Sequence, residues 1–164
     1  LLIEVSGVFV KITYASDADM PLMRGQPGRP SARFNRPGQD ALYLSPDEES
    51  ARVAIGEYVS ADDPPRVLIH YEIEKCTLLD LRHPDAAKIY EQARKSWQDV
   101  IANGEIPSSW EAADTIRHSG HVGLIDPSRQ RPGLWHITLM RWNETGAPAV
   151  RQIKAPTPIV LRPK

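Results

Sequence analysis

Prolines recur through this chain so often that a long helix has little room to form. There are fifteen among 164 residues. Each fixes φ and removes a backbone donor. The chain is therefore expected to carry long ordered loops and many turns rather than a helical bundle. The punctuation is densest between Met23 and Asp40, where Gly25, Pro27, Gly28, Pro30, Pro37 and Gly38 fall close together. Loops of that length in a compact domain are often functional. This one also gathers Arg24, Arg29, Arg33 and Arg36.

Hydrophobic periodicity places elements around the loop. Val8 to Tyr14 is β-branched and aromatic and reads as a first strand. Ala41-Leu42-Tyr43-Leu44 is a short strand. Ser45-Pro46-Asp47-Glu48 then opens a helix, with Ser45 as N-cap and Pro46 in the first turn. That helix is expected to reach about Val59, with Ala51, Ala54, Ile55 and Tyr58 on its inner face. From Arg66 to Glu74, Val67, Ile69, Tyr71 and Ile73 alternate with residues of the opposite face, as in a strand. Thr77 to Leu81 reads as a second apolar stretch after a tight turn. Pro84 to Lys95 is a helix in which Glu91 can pair with Lys95. Another helix starts at Ser108 and ends near Gly120. Val122 to Ile125 and Trp135 to Met140 are further strands. Beyond Asn143 the chain is turn-rich, and Ile153 to Leu161 reads as an edge or extended tail.

This irregular mixture predicts an α+β fold with a mixed or antiparallel sheet and flanking helices. Residues 1–164 are expected to form a single domain, with a core over about 8–142 and an extended C-terminal segment over 143–164. No Gly-rich turn follows a strand in a βαβ unit, which disfavours a Rossmann domain, and no Walker A loop is present.

Formal net charge is −1, so no global field draws the chain to nucleic acid or to a membrane. No apolar run approaches a membrane span. Leu1 to Val5 is too short for a signal peptide. The single cysteine, Cys76, has no partner for a disulfide or a Cys-based metal site and reads as a small buried hydrophobe. A reducing cytoplasm is the default expectation. His70, His83, His118, His121 and His136 fall at no metal-ligand spacing. The four tryptophans are scattered, which suits core or interface rather than a stacking platform.

Some polar residues stand out. Arg33, in a Gly/Pro loop beside Phe34 and Asn35, could hold a diphosphate through its planar fork. Tyr43 could stack on a flat heterocycle. Glu57 sits near a helix end, where the macrodipole disfavours a carboxylate. Ser128 follows Asp126-Pro127 at a strand end and could bond a ligand or cap a turn. Each has a plainer alternative: a solvated arginine, a core tyrosine, an exposed glutamate, a turn serine. No Gly-x-Ser-x-Gly elbow supports a hydrolase nucleophile.

Four stretches together resemble the RES-domain family. Arg33-Phe34-Asn35 with Pro37-Gly38 is similar to its Gly-Arg-Trp/Phe-Asn loop, and Ala41 to Ser45 to its Ala-Leu-Tyr-Leu strand. Ala54 to Glu57 resembles its Ala-x-x-Glu helix turn, and Gly120 to Arg129 its Gly-x-x-Gly-x-x-x-Pro-Ser segment. The chain departs from the pattern in having Lys11-Ile12 where a basic pair is common in the first strand, and Ala32 before the loop arginine. A few extra residues separate Tyr43 from Glu57.

The resemblance implies a bacterial toxin with a fold similar to ADP-ribosyltransferases. NAD would be its substrate, and no metal would be needed. Glu57, Arg33 and Ser128 would be catalytic. Lys11, Arg33, Tyr43 and Ser128 would hold the dinucleotide. The acceptor of ADP-ribose would be water, phosphate or a protein target. The partner would be an Xre-like helix-turn-helix antitoxin, with no membrane and no direct nucleic-acid contact. Two rival readings are a non-enzymatic module whose basic loop binds protein or RNA, and a ribonuclease using His118, His121 or His136.

Overall fold

A computed structural model describes residues 1–163, with the side chain of Glu57 outside the described residues. Two long strands carry the architecture. Strand β1 (Leu2–Tyr14) and strand β3 (Arg66–Asp80) pair antiparallel along almost their whole length. β1 starts earlier than its apolar run suggests, because Leu2 to Val5 stay paired with Leu79 to Cys76. A register shift between Val5 and Gly7 accommodates an irregularity in the ladder, and Gly7 has φ +105°. β3 is one continuous strand. The tight turn expected before Thr77 is absent, because Cys76 and Thr77 keep their places opposite Val5 and Glu4.

The strand order is β1-β3-β4-β5-β2, with β2 at Leu42–Leu44, β4 at Gly123–Pro127 and β5 at Trp135–Leu139. β3 and β4 are parallel; the remaining pairs are antiparallel, so the sheet is mixed. Val10 and Ser45 exchange two backbone bonds of 2.8 and 2.9 Å, which tie β2 back to β1 and close the strand order into a ring. The C-terminal segment adds β6 (Val150–Gln152) and β7 (Thr157–Ile159), both antiparallel on the edge of β3 opposite β1.

Period-two alternation sorts the strands' side chains into different cores. Phe9, Leu42, Leu44, Val67, Ile69, Tyr71 and Ile73 join Trp142 in the central cluster. On the opposite face Val10, Ile12 and Leu68 pack with Ala51 of α1 (Glu48–Ile55). A third cluster packs Leu79, Leu81 and Leu124 against Ala93 of α2 (Ala87–Ala93) and Ala112, Ala113 and Ile116 of α4 (Ser108–His118). Between these helices a short α3 spans Gln98–Ala102, which the periodicity did not mark.

Two local expectations are corrected. Asp47, not Ser45, caps α1, its carboxylate accepting from Ser50 N at 2.8 Å. Ser45 is instead held in the sheet by Val10. On α2, Glu91 pairs with Arg94 at 2.9 Å rather than with Lys95. Gly123 has no space for a side chain: a Cβ there would lie 2.2 Å from the Thr138 carbonyl oxygen. Among the described residues no helix is long and apolar enough to cross a membrane.

Candidate functional site

A cavity of about 510 Å³ opens where β1, β2, β5 and α1 meet, a size common for small-molecule sites. The strands supply Lys11, Tyr43, Ser45, His136 and Thr138. α1 and the turn after it supply Ala51, Ala54, Ile55 and Tyr58, the face expected to point inward. The proline-rich loop contributes Arg33, and the turn after β4 contributes Ser128 and Arg129. Four of the five residues singled out in the sequence thus line one cavity. The fifth, Glu57, belongs to a single 3-10 turn, Gly56–Tyr58, between the lining residues Ile55 and Tyr58. Its side chain lies outside the described residues.

Lys11 sits between this cavity and a neighbouring one of about 350 Å³ that Arg29 also lines. Its ammonium donates to the Tyr43 carbonyl at 3.2 Å and lies 5.8 Å from the centre of the Tyr43 ring. Burial, with the Arg29 guanidinium nearby, lowers its pKa to about 8. It is still a cation at neutral pH.

Tyr43 joins the sheet to the loop. Its hydroxyl accepts from Phe34 N at 2.9 Å and donates to Asn35 Oδ1 at 2.7 Å. Its ring stacks against Phe34 with an interplanar angle of 16°. Burial pushes the phenol well above its ordinary range, so it stays neutral.

Arg33 is held at both ends. Its backbone carbonyl accepts from Ser109 Oγ at 2.6 Å, and Ala32 O accepts from Trp110 Nε1 at 2.8 Å. Its guanidinium donates to Ala93 O and Lys95 O, at 3.0 and 2.7 Å, around the C-terminus of α2, the end of a helix that favours a cation. The other loop arginines are spent on structure. Arg29 donates to Ala41 O at 2.9 Å and to Met23 O, and lies over the Trp142 ring. Arg36 forms a bidentate pair with Asp114 at 2.6 and 2.9 Å.

Ser128 closes the turn between β4 and β5. Its N–H donates to Leu134 O at 2.9 Å, and its hydroxyl accepts from Arg131 N at 3.1 Å. Beside it, the buried Asp126 pairs with Arg129 at 2.9 Å. Sequence reasoning passed over Asp126 and Arg129. Alternation along β4 and β5, with the two strands aligned, would have put Asp126 opposite His136.

Of the five histidines, His136 alone lines the cavity among the described residues, so no second imidazole stands with it. No group of three or more His, Cys, Asp or Glu among the described residues could hold a metal ion. Cys76 packs part-buried against the central core, and burial raises its thiol to about 11.

The RES domain profile matches residues 10–162. No curated protein matches the sequence. Among solved structures, a chain in the crystal structure of the M. tuberculosis MbcT–MbcA toxin–antitoxin complex has a similar fold, with a TM-score of 0.63 at 17% identity. The alignment covers 96% of this chain and 86% of that one.

Proposed function

The chain belongs to the RES-domain family, and on that premise we propose that it is the toxin of a toxin–antitoxin pair that consumes NAD. The reaction breaks the bond between nicotinamide and ribose and passes ADP-ribose to water, phosphate or a protein target. The observation that carries this reading is the meeting of Lys11, Arg33, Tyr43 and Ser128 on one cavity. Two cations suit a diphosphate, an aromatic face suits a flat pyridinium or a ribose, and a hydroxyl suits the carboxamide or the ribose.

Each residue has a task in this scheme. Lys11 and Arg33 bind the diphosphate, so that binding energy sets the ribose in place. Tyr43 is neutral and fixed by Phe34 and Asn35, and packs against the ribose or nicotinamide. Glu57 stabilises the positive charge that develops on the ribose, the task a carboxylate performs in glycoside cleavage. Ser128 orients the carboxamide or Glu57. The leaving group is already a cationic pyridinium, so this scheme routes no step through a metal. The antitoxin, Xre-like in this reading, would silence the toxin by covering the cavity mouth. The likeness to an ADP-ribosyltransferase fold belongs to the same proposal.

The basic-module alternative loses its main support, because Arg29 and Arg36 are engaged within the fold. The test is nicotinamide release from NAD by purified, antitoxin-free protein, with and without phosphate and cell lysate. Release that falls at least about 100-fold in Arg33→Ala and Glu57→Gln, both still folded, is the expected result. No release under any condition would remove the NAD reading.

A further inference from the structure

His136 stands on the wall of the same cavity as Lys11, Arg33 and Ser128, and none of the tasks above uses it. Its place is closely determined. The β4–β5 register sets it opposite Asp126. Its Nδ1 lies 2.9 Å from Ser45 Oγ. Ser45 in turn is fixed in the sheet through its own N–H and carbonyl, both bonded to Val10. In the tautomer whose Nδ1–H donates to Ser45 Oγ, Nε2 carries the lone pair and can take a proton.

The charged groups around the ring come from three segments. Asp126 lies on β4, Arg129 in the turn beyond it, and Asp47 at the cap of α1. Asp126 is already paired with Arg129. Burial outweighs both carboxylates and holds the imidazole below its ordinary range, so the ring is neutral at neutral pH.

We propose that His136 is the base that takes the proton from a protic acceptor, water or a hydroxyl, as that acceptor attacks the ribose. This rests on the NAD-cleaving reading above. The acceptor oxygen bonds to the ribose C1″. The bond from C1″ to the nicotinamide nitrogen breaks, and its electron pair leaves with neutral nicotinamide. The acceptor's proton passes to Nε2 of His136. Hydrogenphosphate attacks through an oxygen that carries no proton, so it has no use for this base. His136 thus separates two acceptor classes: hydrolysis depends on it and phosphorolysis does not.

A histidine that merely ties β2 to β5 would affect both acceptors alike, and the experiment exploits that difference. His136→Asn keeps a polar atom near the place of Nδ1 and removes Nε2; His136→Gln does the reverse and lacks basicity. Both are compared with the parent protein by thermal melting. Nicotinamide release from NAD is then measured in phosphate-free buffer and in inorganic phosphate, with products separated, from about pH 5 to 8. We expect both variants to lose at least about 100-fold in hydrolysis, and the decline of hydrolysis toward acid pH to disappear. Phosphorolysis should stay within about twofold. Equal losses with both acceptors, unchanged hydrolysis, or a parent protein that cleaves NAD only with phosphate would each overturn the assignment. A parent protein that releases nicotinamide with neither acceptor overturns the assignment, and one that also releases none with cell lysate overturns the NAD reading as well, so the two failures are distinguishable.

Discussion

The cavity has two kinds of wall. Lys11, Tyr43 and His136 stand on β1, β2 and β5, where ladder bonds fix each backbone position. Arg33 and Ser128 stand on loops outside the ladders: the Arg33 loop is held by the Ser109 and Trp110 side chains of the distant α4, and Ser128 by bonds within its own turn, to Leu134 O and from Arg131 N. Damage to the strand wall should appear first as lost stability, because many bonds share each position. Damage to the loop wall should appear first as lost turnover, because a small shift in position is costly to catalysis.

The largest expected effect tests the strand wall. Gly123→Ala drives a methyl group against the Thr138 carbonyl, 2.2 Å away, where neither backbone can yield without breaking the β4–β5 ladder that positions His136. The expected loss is about 3 kcal/mol, the upper part of the range for overpacking, read by urea unfolding. A loss under about 0.5 kcal/mol would mean that this part of the ladder is slack.

Tyr43 joins the two walls, and Tyr43→Phe separates them. The change leaves Phe34 N without its acceptor and Asn35 Oδ1 without its donor. Losing a buried partner costs about 1–3 kcal/mol. Nicotinamide release should fall by more than stability alone accounts for, since Arg33 adjoins Phe34. Unchanged stability would show that the loop holds itself without the strand.

Lys11 gives function and stability opposite responses to pH. Its folded pKa of about 8 lies below the ordinary 10.5, so the unfolded chain binds the proton more tightly. Its contribution to stability is fully present above the unfolded value and is lost as pH falls through about 8. Its charge for a diphosphate behaves the other way and is lost as pH rises through about 8. KM for NAD should therefore climb above about pH 8, and Lys11→Arg should flatten that climb. A KM that is level to about pH 10 in the parent protein would take Lys11 out of diphosphate binding.

The same division decides what could be seen in the sequence. Strands announced themselves through alternation, as in Val67, Ile69, Tyr71 and Ile73, because one face of each is buried. The inner face of α1 was legible for the same reason. The chain between Glu74 and Thr77 looked like a tight turn because the alternation ends in polar Glu74 and Lys75, yet pairing with β1 carries the strand through. Ser45 looked like a cap because Ser-Pro is a good helix start. Its bonds to Val10, 35 positions earlier in the chain, are non-local, and local pattern cannot show them. Arg33 stood out beside Phe34 and Asn35, but nothing local showed what any of the loop arginines bonds to; only the folded chain shows which carbonyl or carboxylate Arg29, Arg33 and Arg36 each meet. Asp126 and His136 become neighbours through strand register alone.

The smallest effect separates those arginines. Arg36 and Asp114 form a bidentate pair whose side chains are 36% and 34% exposed. Solvent screens such a pair, so Arg36→Ala should cost about 1 kcal/mol or less. The Asp114 carboxylate is held below its usual range first by its hydrogen bond with Arg36, so the pair's contribution should fade as pH drops through the carboxylate range. A double-mutant cycle with Asp114→Ala isolates the coupling. Turnover should change little, because Arg36 anchors the loop to α4 and does not line the cavity. If Arg36→Ala removed turnover as fully as Arg33→Ala, the loop would be acting as one unit, and the distinction between an anchoring arginine and a binding arginine would fail.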